Sequence, residues 1–293
     1  MTRDPASGSV LVFGATSQIG HCLLPMLTAQ GAQVTAVSRS AQRSRDNGVR
    51  WLCGELPESP AGDFGTIENI ASFAPLAAVA AWIANTALPA LKRVVATSSM
   101  SAESKRESPV AVEREIAQQL REGEQALMRA CEARAVACTI LRPTLIYGVG
   151  LDKSLTPLAR RAMRWRVFVL PPGRGLRQPV HAQDVASAVQ AALLTPEAAG
   201  RVIPIGGGER LPAREMFARV RASLPVRTLP LSVPAPMIRV CARLLPTLQG
   251  PLGRLEQDLV ADNDDLDRLL GVRPRGFRPD RNCWGEPFPR TSA

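Results

Sequence analysis

Short apolar runs alternate with helix-like patterns along the first half of the chain. Five such runs predict buried parallel strands, at 9–13, 33–37, 49–52, 93–97 and 137–141. Apolar residues at helical spacing predict three helices between them, at 18–29, 75–88 and about 111–134. Alternating strands and helices are typical of βαβ units. We therefore expect an α/β fold, a Rossmann-type doubly wound parallel sheet whose ligand lies at the carboxyl ends of the strands.

The regular alternation ends near residue 150. Prolines interrupt the second half, and its predicted helices are short, at 182–194, 213–223 and 236–245. We predict a Rossmann core over 1–150 and a smaller C-terminal lobe of mixed α/β structure over 151–293. Some elements of this lobe are expected to return to the core.

One uncharged stretch, 69–91, is long enough to cross a bilayer. Pro75, Pro89 and several polar side chains interrupt it, and many of its other residues are alanine. A buried strand and loop followed by a core-facing helix explains the stretch equally well, and we favour that interpretation.

The chain is basic, with 36 Lys+Arg against 26 Asp+Glu and a net charge of +10. Two stretches, 153–183 and 216–255, contain no acidic residue. A nucleic acid is the obvious partner of a basic protein, but the chain has one Tyr and no interleaving of basic and aromatic residues. We expect no nucleic-acid partner and favour a small anionic ligand. Stretch 216–255 could also contact an anionic membrane surface or a protein partner, although a lid over the C-terminal lobe is favoured.

The six cysteines are scattered, without a CxxC pair or a Cys/His cluster. They predict reduced core thiols and no metal site. No basic segment followed by an apolar run opens the sequence, so we expect a cytoplasmic protein. The oligomeric state stays open, a homodimer included.

The segment from Gly14 to Gly20 directly follows the first strand and opens the first helix. Such a turn lets backbone amides approach a pyrophosphate, and the helix N-terminus stabilises the negative charge. Ser17 stands where a GxxGxxG pattern has its middle glycine, so its Cβ predicts weaker or shifted binding. A plain βα turn is the alternative.

Two further strand ends carry candidate cofactor contacts. An acidic residue at the end of the second strand would bind the adenosine ribose of NAD, whereas Arg39, beside Ser38 and Ser40, suits the 2′-phosphate of NADP. We therefore favour NADP(H), with NAD as the alternative, because Arg39 also fits a solvated loop. Hydroxyls at Thr97–Ser99 would face the nicotinamide, although such residues also bond to turn backbones.

Five segments together resemble one family: LVFGATSQIG (11–20), VVATSS (94–99), LRPTLIYG (141–148), GRGLRQPVHAQDVASAV (173–189) and LLGVRPRGF (269–277). In this order they are similar to the extended, atypical short-chain dehydrogenases/reductases of the NAD-dependent epimerase/dehydratase family, which includes nucleotide-sugar epimerases. The resemblance implies an NAD(P)-binding oxidoreductase that acts on a nucleotide-sugar-like or other anionic substrate. It makes the C-terminal lobe a substrate lobe.

The resemblance also assigns residues, one by one. Its cofactor-binding set is Gly14, Thr16, Ser17, Gln18, Ile19, Gly20, Arg39, Glu55, Ser98 and Pro143. Glu55 replaces an aspartate that usually approaches adenine, and Ser99 matches the catalytic hydroxyl that bonds to the reacting oxygen. Arg177, with Arg174 beside it, matches an arginine that binds a substrate diphosphate.

The sequence departs from the family at the catalytic Tyr and the Lys four residues after it. With Glu124 as the anchor of the register, Ile116 and Leu120 occupy these positions, and neither side chain transfers a proton. The one tyrosine, Tyr147, and His181 are the remaining acid/base candidates. For Tyr147 we favour packing beside the cofactor, and for His181 hydrogen bonding at the lobe junction. Asp184 is expected to bind first-turn amides of its helix.

Two functions remain open at this point. In the first, hydride passes between a nicotinamide and a substrate carbon while Ser99 polarises the oxygen, and a substrate group, water or His181 replaces the missing Tyr. In the second, the protein is a catalytically silent dinucleotide-binding Rossmann protein with a structural, sensing or assembly role.

Overall fold

The computed structural model describes residues 8–40, 48–58, 65–171, 173–232 and 254–285. Its strands are β1 (Ser9–Phe13), β2 (Gln33–Ser38), β3 (Val49–Cys53), β4 (Asn69–Ser72), β5 (Arg93–Thr97), β6 (Ala137–Pro143), β7 (Ile146–Tyr147), β8 (Val167–Leu170), β9 (Leu176–Arg177), β10 (Val180–His181), β11 (Val202–Ile205), β12 (Leu211–Pro212) and β13 (Leu229–Ser232). Its α-helices are α1 (Gln18–Ala29), α2 (Leu76–Asn85), α3 (Ser101–Ser104), α4 (Ala111–Glu132), α5 (Leu155–Trp165), α6 (Ala182–Leu194), α7 (Ala213–Ala222) and α8 (Asp264–Leu270).

A seven-stranded sheet with the order β11-β6-β5-β4-β1-β2-β3 forms the centre of the molecule. Every neighbouring pair in it is parallel. The strand order reverses between β1 and β4, and in such sheets the crevice at the carboxyl ends beside that reversal binds ligands. The predicted doubly wound α/β fold is confirmed.

Helices cover both faces of this sheet because its central strands are apolar on both sides. In β1, Val10 and Val12 pack with α1 and α6, whereas Leu11 and Phe13 pack on the opposite face with α2 and α4. The ring of Phe13 meets that of Trp82 edge to face, with centroids 4.9 Å apart. The central strand thus contributes to two separate cores.

The uncharged stretch 69–91 forms β4 and then α2, as we expected. Among the described residues, no helix is both long and apolar enough to cross a membrane.

A third core and three two-stranded sheets, β7/β10, β8/β13 and β9/β12, come mostly from the second half of the chain. α5 and α7 enclose this core together with Tyr147, Phe168, Phe277 and Trp284. β11, in contrast, is a strand of the central sheet, and α6 packs on one face of that sheet. The division near residue 150 stays a prediction.

The predicted helices and strands that fall on described residues agree with the structure to within a few residues, whereas α3, α5, α8 and the strands after β6 were not predicted. The predicted helix 236–245 lies outside the described residues, as does Cys241. Four cysteines are buried as expected: Cys22, Cys131, Cys138 and Cys283. The expectation of a core thiol is wrong for Cys53, which is exposed at the end of β3, where the strand leaves the sheet.

Candidate functional site

The turn between β1 and α1 has the tight geometry that its glycines predict. Gly14 adopts a φ of +68°, and its carbonyl accepts the amide of Ser17 at 2.9 Å. A Cβ on Gly20 would lie 2.3 Å from the carbonyl oxygen of Ala15, so no side chain fits there. The turn therefore keeps its backbone against the first residues of the helix.

Ser17 caps the helix that this turn opens. Its Oγ accepts the amide of Gly20 at 3.2 Å, and its carbonyl accepts the amide of His21 at 2.8 Å. The amides of Gln18 and Ile19 precede that first intrahelical bond and are therefore the donors at the helix N-terminus. Ser17 thus occupies one donor that a pyrophosphate would otherwise use.

Two further residues of the segment Gly14–Gly20 differ in exposure. Thr16 is exposed, whereas Ile19 is only 4% exposed and packs in the core under α1. Ile19 can therefore offer a ligand its backbone but not its side chain.

Two buried oxygens at the carboxyl edge of the sheet have no hydrogen-bond partner within the described residues. They are Oε1 of Gln18, at the start of α1, and Oγ of Ser98, after β5. A buried polar atom without a partner is rare and costly, and it is often explained by an absent water, ion or ligand. Both atoms fit the polar groups of a dinucleotide, so these residues are compatible with that cofactor.

Arg39 and Glu55 face each other where β2 and β3 end. Nη1 of Arg39 lies 3.8 Å from Oε1 of Glu55, and the two side chains are 81% and 69% exposed. Exposed pairs of this kind contribute about 0–1 kcal/mol, so an incoming anion can displace the carboxylate. Ser38 is buried, and its Oγ accepts the amide of Ser40 at 3.3 Å.

Ser99 follows β5 at the edge where the dinucleotide is expected. Its Oγ accepts the amide of Ser101 at 3.1 Å, which fixes the oxygen at the start of α3. A hydroxyl that accepts one bond can still donate its proton. The amide of Met100 bonds to the carbonyl of buried Pro143 at 3.0 Å, so the ends of β5 and β6 are joined beside Ser99.

A cavity of about 220 Å³ lies between α3 and the C-terminal lobe. Its polar lining includes Ser101, Ser104, Lys105, Ser154 and Arg177. Lys105, which sequence reasoning missed, gives this cavity a second cation. Its position six residues after Ser99 is the one feature of the sequence that could have indicated it.

The two predicted substrate arginines do not share this cavity. Arg177 is 5% exposed, and its Nη1 donates to the carbonyls of Leu176 at 2.8 Å and Gln257 at 2.6 Å. Arg174 lines a separate depression with Arg214 and Glu215. The structure therefore separates two side chains that are three residues apart in the sequence.

Glu124, the anchor of the family register, binds Arg142 in a partly buried ion pair. Nε and Nη2 of Arg142 reach the two carboxylate oxygens at 2.8 and 2.5 Å, and Nη1 reaches Glu103 at 2.7 Å. These hydrogen bonds raise the pKa of Arg142. The network joins β6, α3 and α4, which fixes the helix that carries Ile116 and Leu120. Sequence reasoning missed Arg142, although it directly precedes Pro143.

Tyr147 is enclosed by aromatic rings rather than by a cavity. It is 1% exposed, with His181 and Phe277 edge to face at 5.2 and 4.8 Å between ring centroids. Burial raises the pKa of Tyr147. These contacts support packing over acid/base chemistry.

His181 begins α6, where its Nδ1 accepts the amide of Gln183 at 3.1 Å. Burial lowers the pKa of His181, which favours the neutral ring that this hydrogen bond requires. The ring lines a depression with His21 and Val149. Among the described residues, this depression and the cavity under α3 have no lining residue in common. His181 therefore does not line the cavity under α3.

The prediction that Asp184 binds first-turn amides is wrong, because Arg275 occupies its carboxylate. Oδ2 accepts the backbone amide of Arg275 at 3.0 Å, and the guanidinium lies 2.8 Å from Oδ1. Asp184 thereby ties α6 to the C-terminal segment, and His181 caps the helix instead.

Comparison of the sequence with protein-family models gives one match. Residues 82–206 match the model described as the NAD dependent epimerase/dehydratase family. This part of the chain is similar to that family. The family segment contains Ser98, Ser99, Glu124, Arg142 and Arg177, whereas the turn after β1 precedes it. No curated protein matches the sequence.

Solved structures of MoeE5 and of two epimerases share the fold across nearly the whole chain. The protein MoeE5, in complex with UDP-glucose and NAD, superposes with a TM-score of 0.72 at 20% identity, over 94% of this chain and 97% of that one. UDP-glucuronic acid 4-epimerase from Bacillus cereus, in complex with NAD, gives 0.68 at 14% identity, over 94% and 98%. UDP-N-acetylglucosamine 4-epimerase from Bacillus cereus gives 0.67 at 14%, over 96% and 95%.

Proposed function

We propose that the protein binds a nicotinamide dinucleotide across the carboxyl edge of the sheet, with the pyrophosphate at the turn Gly14–Gly20. The observation that carries this proposal is the pair of buried oxygens of Gln18 and Ser98 without partners in the described residues. Similar folds that hold NAD, in MoeE5 and in the glucuronic acid epimerase, support it.

NADP(H) is the cofactor that Arg39 favours. Its guanidinium is 81% exposed and pairs only weakly with Glu55, so a 2′-phosphate can take the place of that carboxylate. NAD is the alternative, which the NAD complexes of similar structures and the negative charge of Glu55 favour.

The proposed substrate is a nucleotide-sugar-like anion bound in the cavity under α3. Lys105 and Arg177 supply two positive charges there against the one negative charge of Asp258, whose Oδ1 already accepts the amide of Leu176. The hydroxyls of Ser101, Ser104 and Ser154 can bond to a sugar. MoeE5, which has a similar fold, holds UDP-glucose. Arg174 lines another depression and is left out of this substrate site.

The proposed reaction is an epimerase/dehydratase-like oxidoreduction. A bound nicotinamide would accept or return a hydride at a substrate carbon. Ser99 donates a hydrogen bond to the reacting oxygen while the amide of Ser101 holds its Oγ in place. Ile116 and Leu120 cannot take the proton, so water or a substrate group accepts it.

Turnover with sugar nucleotides tests this reaction. UDP-glucose and UDP-glucuronic acid are mixed with protein and oxidised cofactor, and nicotinamide absorbance and sugar products are followed. We expect Ser99→Ala to lose at least about tenfold in kcat, since one hydrogen bond to a developing charge is removed. Ser187→Ala, whose hydroxyl bonds to the Gln183 carbonyl on α6, is the matched control. Equal turnover in Ser99→Ala and the control would contradict the role of Ser99.

A catalytically silent dinucleotide-binding protein is the second candidate, with a structural, sensing or assembly role. It is favoured by the apolar side chains of Ile116 and Leu120, of which Ile116 is 36% exposed. The double variant Ile116→Tyr, Leu120→Lys restores the family's pair at positions that solvent can reach. Binding without turnover in the wild type, followed by turnover in the double variant, would support the silent protein. Turnover in the wild type would contradict it.

A further inference from the structure

The C-terminal lobe presents large apolar side chains to solvent on the two-stranded sheet β8/β13. Leu229 is 71% exposed, Leu231 53% and Val169 51%, and Trp165, just before β8, is 63% exposed. Scattered apolar residues are normal on a protein surface, but neighbouring ones mark an interaction site. We name these four residues the ribbon patch.

The strand register places three residues of the ribbon patch, Val169, Leu229 and Leu231, on one face of this sheet. β8 and β13 are parallel, with Leu229 beside Val167 and Leu231 beside Val169. Phe168 lies between these positions and is buried, so it points to the opposite face, into the core of the lobe. The side chains that alternate with it therefore form a row on the outer face.

The surroundings of the ribbon patch are positively charged. The strands come from 153–183 and 216–255, the two stretches without an acidic residue, which the fold brings together here. Four exposed arginines lie on α5 or next to the strands: Arg161, Arg164, Arg166 and Arg227. Within the described part of the chain, no salt bridge involves any of the four. The guanidinium of Arg161 lies 5.6 Å from the ring centroid of Trp165.

We infer that this face binds the surface of an anionic lipid bilayer. An exposed tryptophan, exposed branched aliphatic side chains and exposed arginines close to them in the chain match the chemistry of the interface, where apolar groups enter the acyl boundary and arginines meet phosphates. A nucleic acid would fit less well, because leucine and valine offer no stacking surface. The predicted helix 236–245 lies outside the described residues, and the inference does not use it.

Co-sedimentation with vesicles tests this inference independently of the cofactor and of turnover. The full chain is mixed with vesicles of phosphatidylcholine alone, or with added phosphatidylglycerol, at low and high salt. We expect binding to the phosphatidylglycerol vesicles only, with loss at high salt. The emission of the most exposed tryptophan, Trp165, should shift to the blue on binding, and Trp165→Phe should abolish that shift.

Matched variants distinguish vesicle binding through this face from nonspecific binding by other exposed side chains. Leu229→Ser with Leu231→Ser should lower the vesicle partition coefficient roughly tenfold, because two apolar side chains no longer leave water. Val112→Ser removes an apolar side chain that is 64% exposed on α4 and should change nothing. Arg161→Gln with Arg164→Gln should weaken binding, whereas Arg129→Gln on α4 should not.

Three results would overturn the inference. The first is equal binding to both kinds of vesicle, and the second is binding that the leucine variants leave unchanged. The third is no vesicle binding at low salt. If the leucine variants then changed the oligomeric state, the ribbon patch would be an interface between copies of the chain.

Discussion

The hydroxyl of Ser17 accepts a hydrogen bond from the amide of Gly20 at 3.2 Å. The same amide is one of the donors that the N-terminus of α1 would offer a pyrophosphate. One side chain thus stabilises the helix and competes with the proposed ligand, in the position where the family pattern has a glycine.

Replacing Ser17 should therefore lower the stability of the protein and raise its affinity for the dinucleotide. We expect Ser17→Gly to bind NADPH roughly tenfold more tightly, because an amide is freed for a charged acceptor, while stability falls by only a few tenths of a kcal/mol. Ser17→Ala frees the amide but keeps the Cβ, at a cost of about 1 kcal/mol. Titration and thermal unfolding of both variants separate the hydroxyl from the Cβ. Weaker NADPH binding in Ser17→Gly would contradict this role.

The charge of Glu55 should oppose the binding of a 2′-phosphate. Removing it with Glu55→Gln leaves Arg39 without its carboxylate neighbour, so we expect about threefold tighter NADPH binding and unchanged NADH binding. Arg39→Ala should abolish the preference for NADPH. Glu58→Gln, also an exposed acid after β3, is the control. The ratio of the two dissociation constants is measured, and an unchanged ratio in Arg39→Ala would rule out a phosphate contact.

Because the oxygen of Ser98 has no partner within the described residues, its removal should weaken dinucleotide binding without lowering the stability of the protein. Ser98→Ala removes a buried polar atom that bonds to nothing in the described residues, so the free energy of unfolding should stay constant or rise by up to ~1 kcal/mol. Dinucleotide affinity should fall several-fold. The control is Thr139→Val, which loses the 2.8 Å bond to the carbonyl of Ala198 and should destabilise the protein by about 1 kcal/mol. Destabilisation in Ser98→Ala comparable to that control would show that its oxygen is bonded.

The buried ring of His181 should make stability depend on pH. Burial lowers its pKa below the ordinary value, so the unfolded chain binds the proton more tightly. This contribution to stability is complete above the unfolded pKa of about 6.5 and is lost as the pH falls toward the folded value. We expect Tm to fall with acidification, and to fall less in His181→Asn, which keeps a capping acceptor. His21→Asn, at an exposed site, should follow the wild type; identical profiles for all three proteins would exclude His181 as the cause.

Much of the fold could be predicted because its signals are local. Apolar runs such as 9–13 must be buried on both faces, and glycine at position 20 is required by a contact within the same turn. The helix after β4 could be predicted as core-facing because its stretch has no charged residue and because two prolines interrupt it, which disfavours a membrane span.

The site was less predictable because its polar contacts join distant segments. Asp184 has the local pattern of a capping residue, but Arg275, 91 residues later, binds it. Arg177 lines the proposed substrate cavity, yet its Nη1 donates to a carbonyl 80 residues away, which the sequence does not indicate. No local pattern distinguishes a guanidinium directed at a ligand from one directed at a backbone carbonyl.

Titration of the purified protein with NADPH and with NADH, followed by nicotinamide fluorescence, tests the central proposal most directly. We expect saturable NADPH binding with a Kd on the order of micromolar and a several-fold preference over NADH. Thermal unfolding in the same buffer shows that the sample is folded. No saturable signal with either cofactor from folded protein would contradict a dinucleotide site at Gly14–Gly20, and a preference for NADH would contradict the assignment of Arg39.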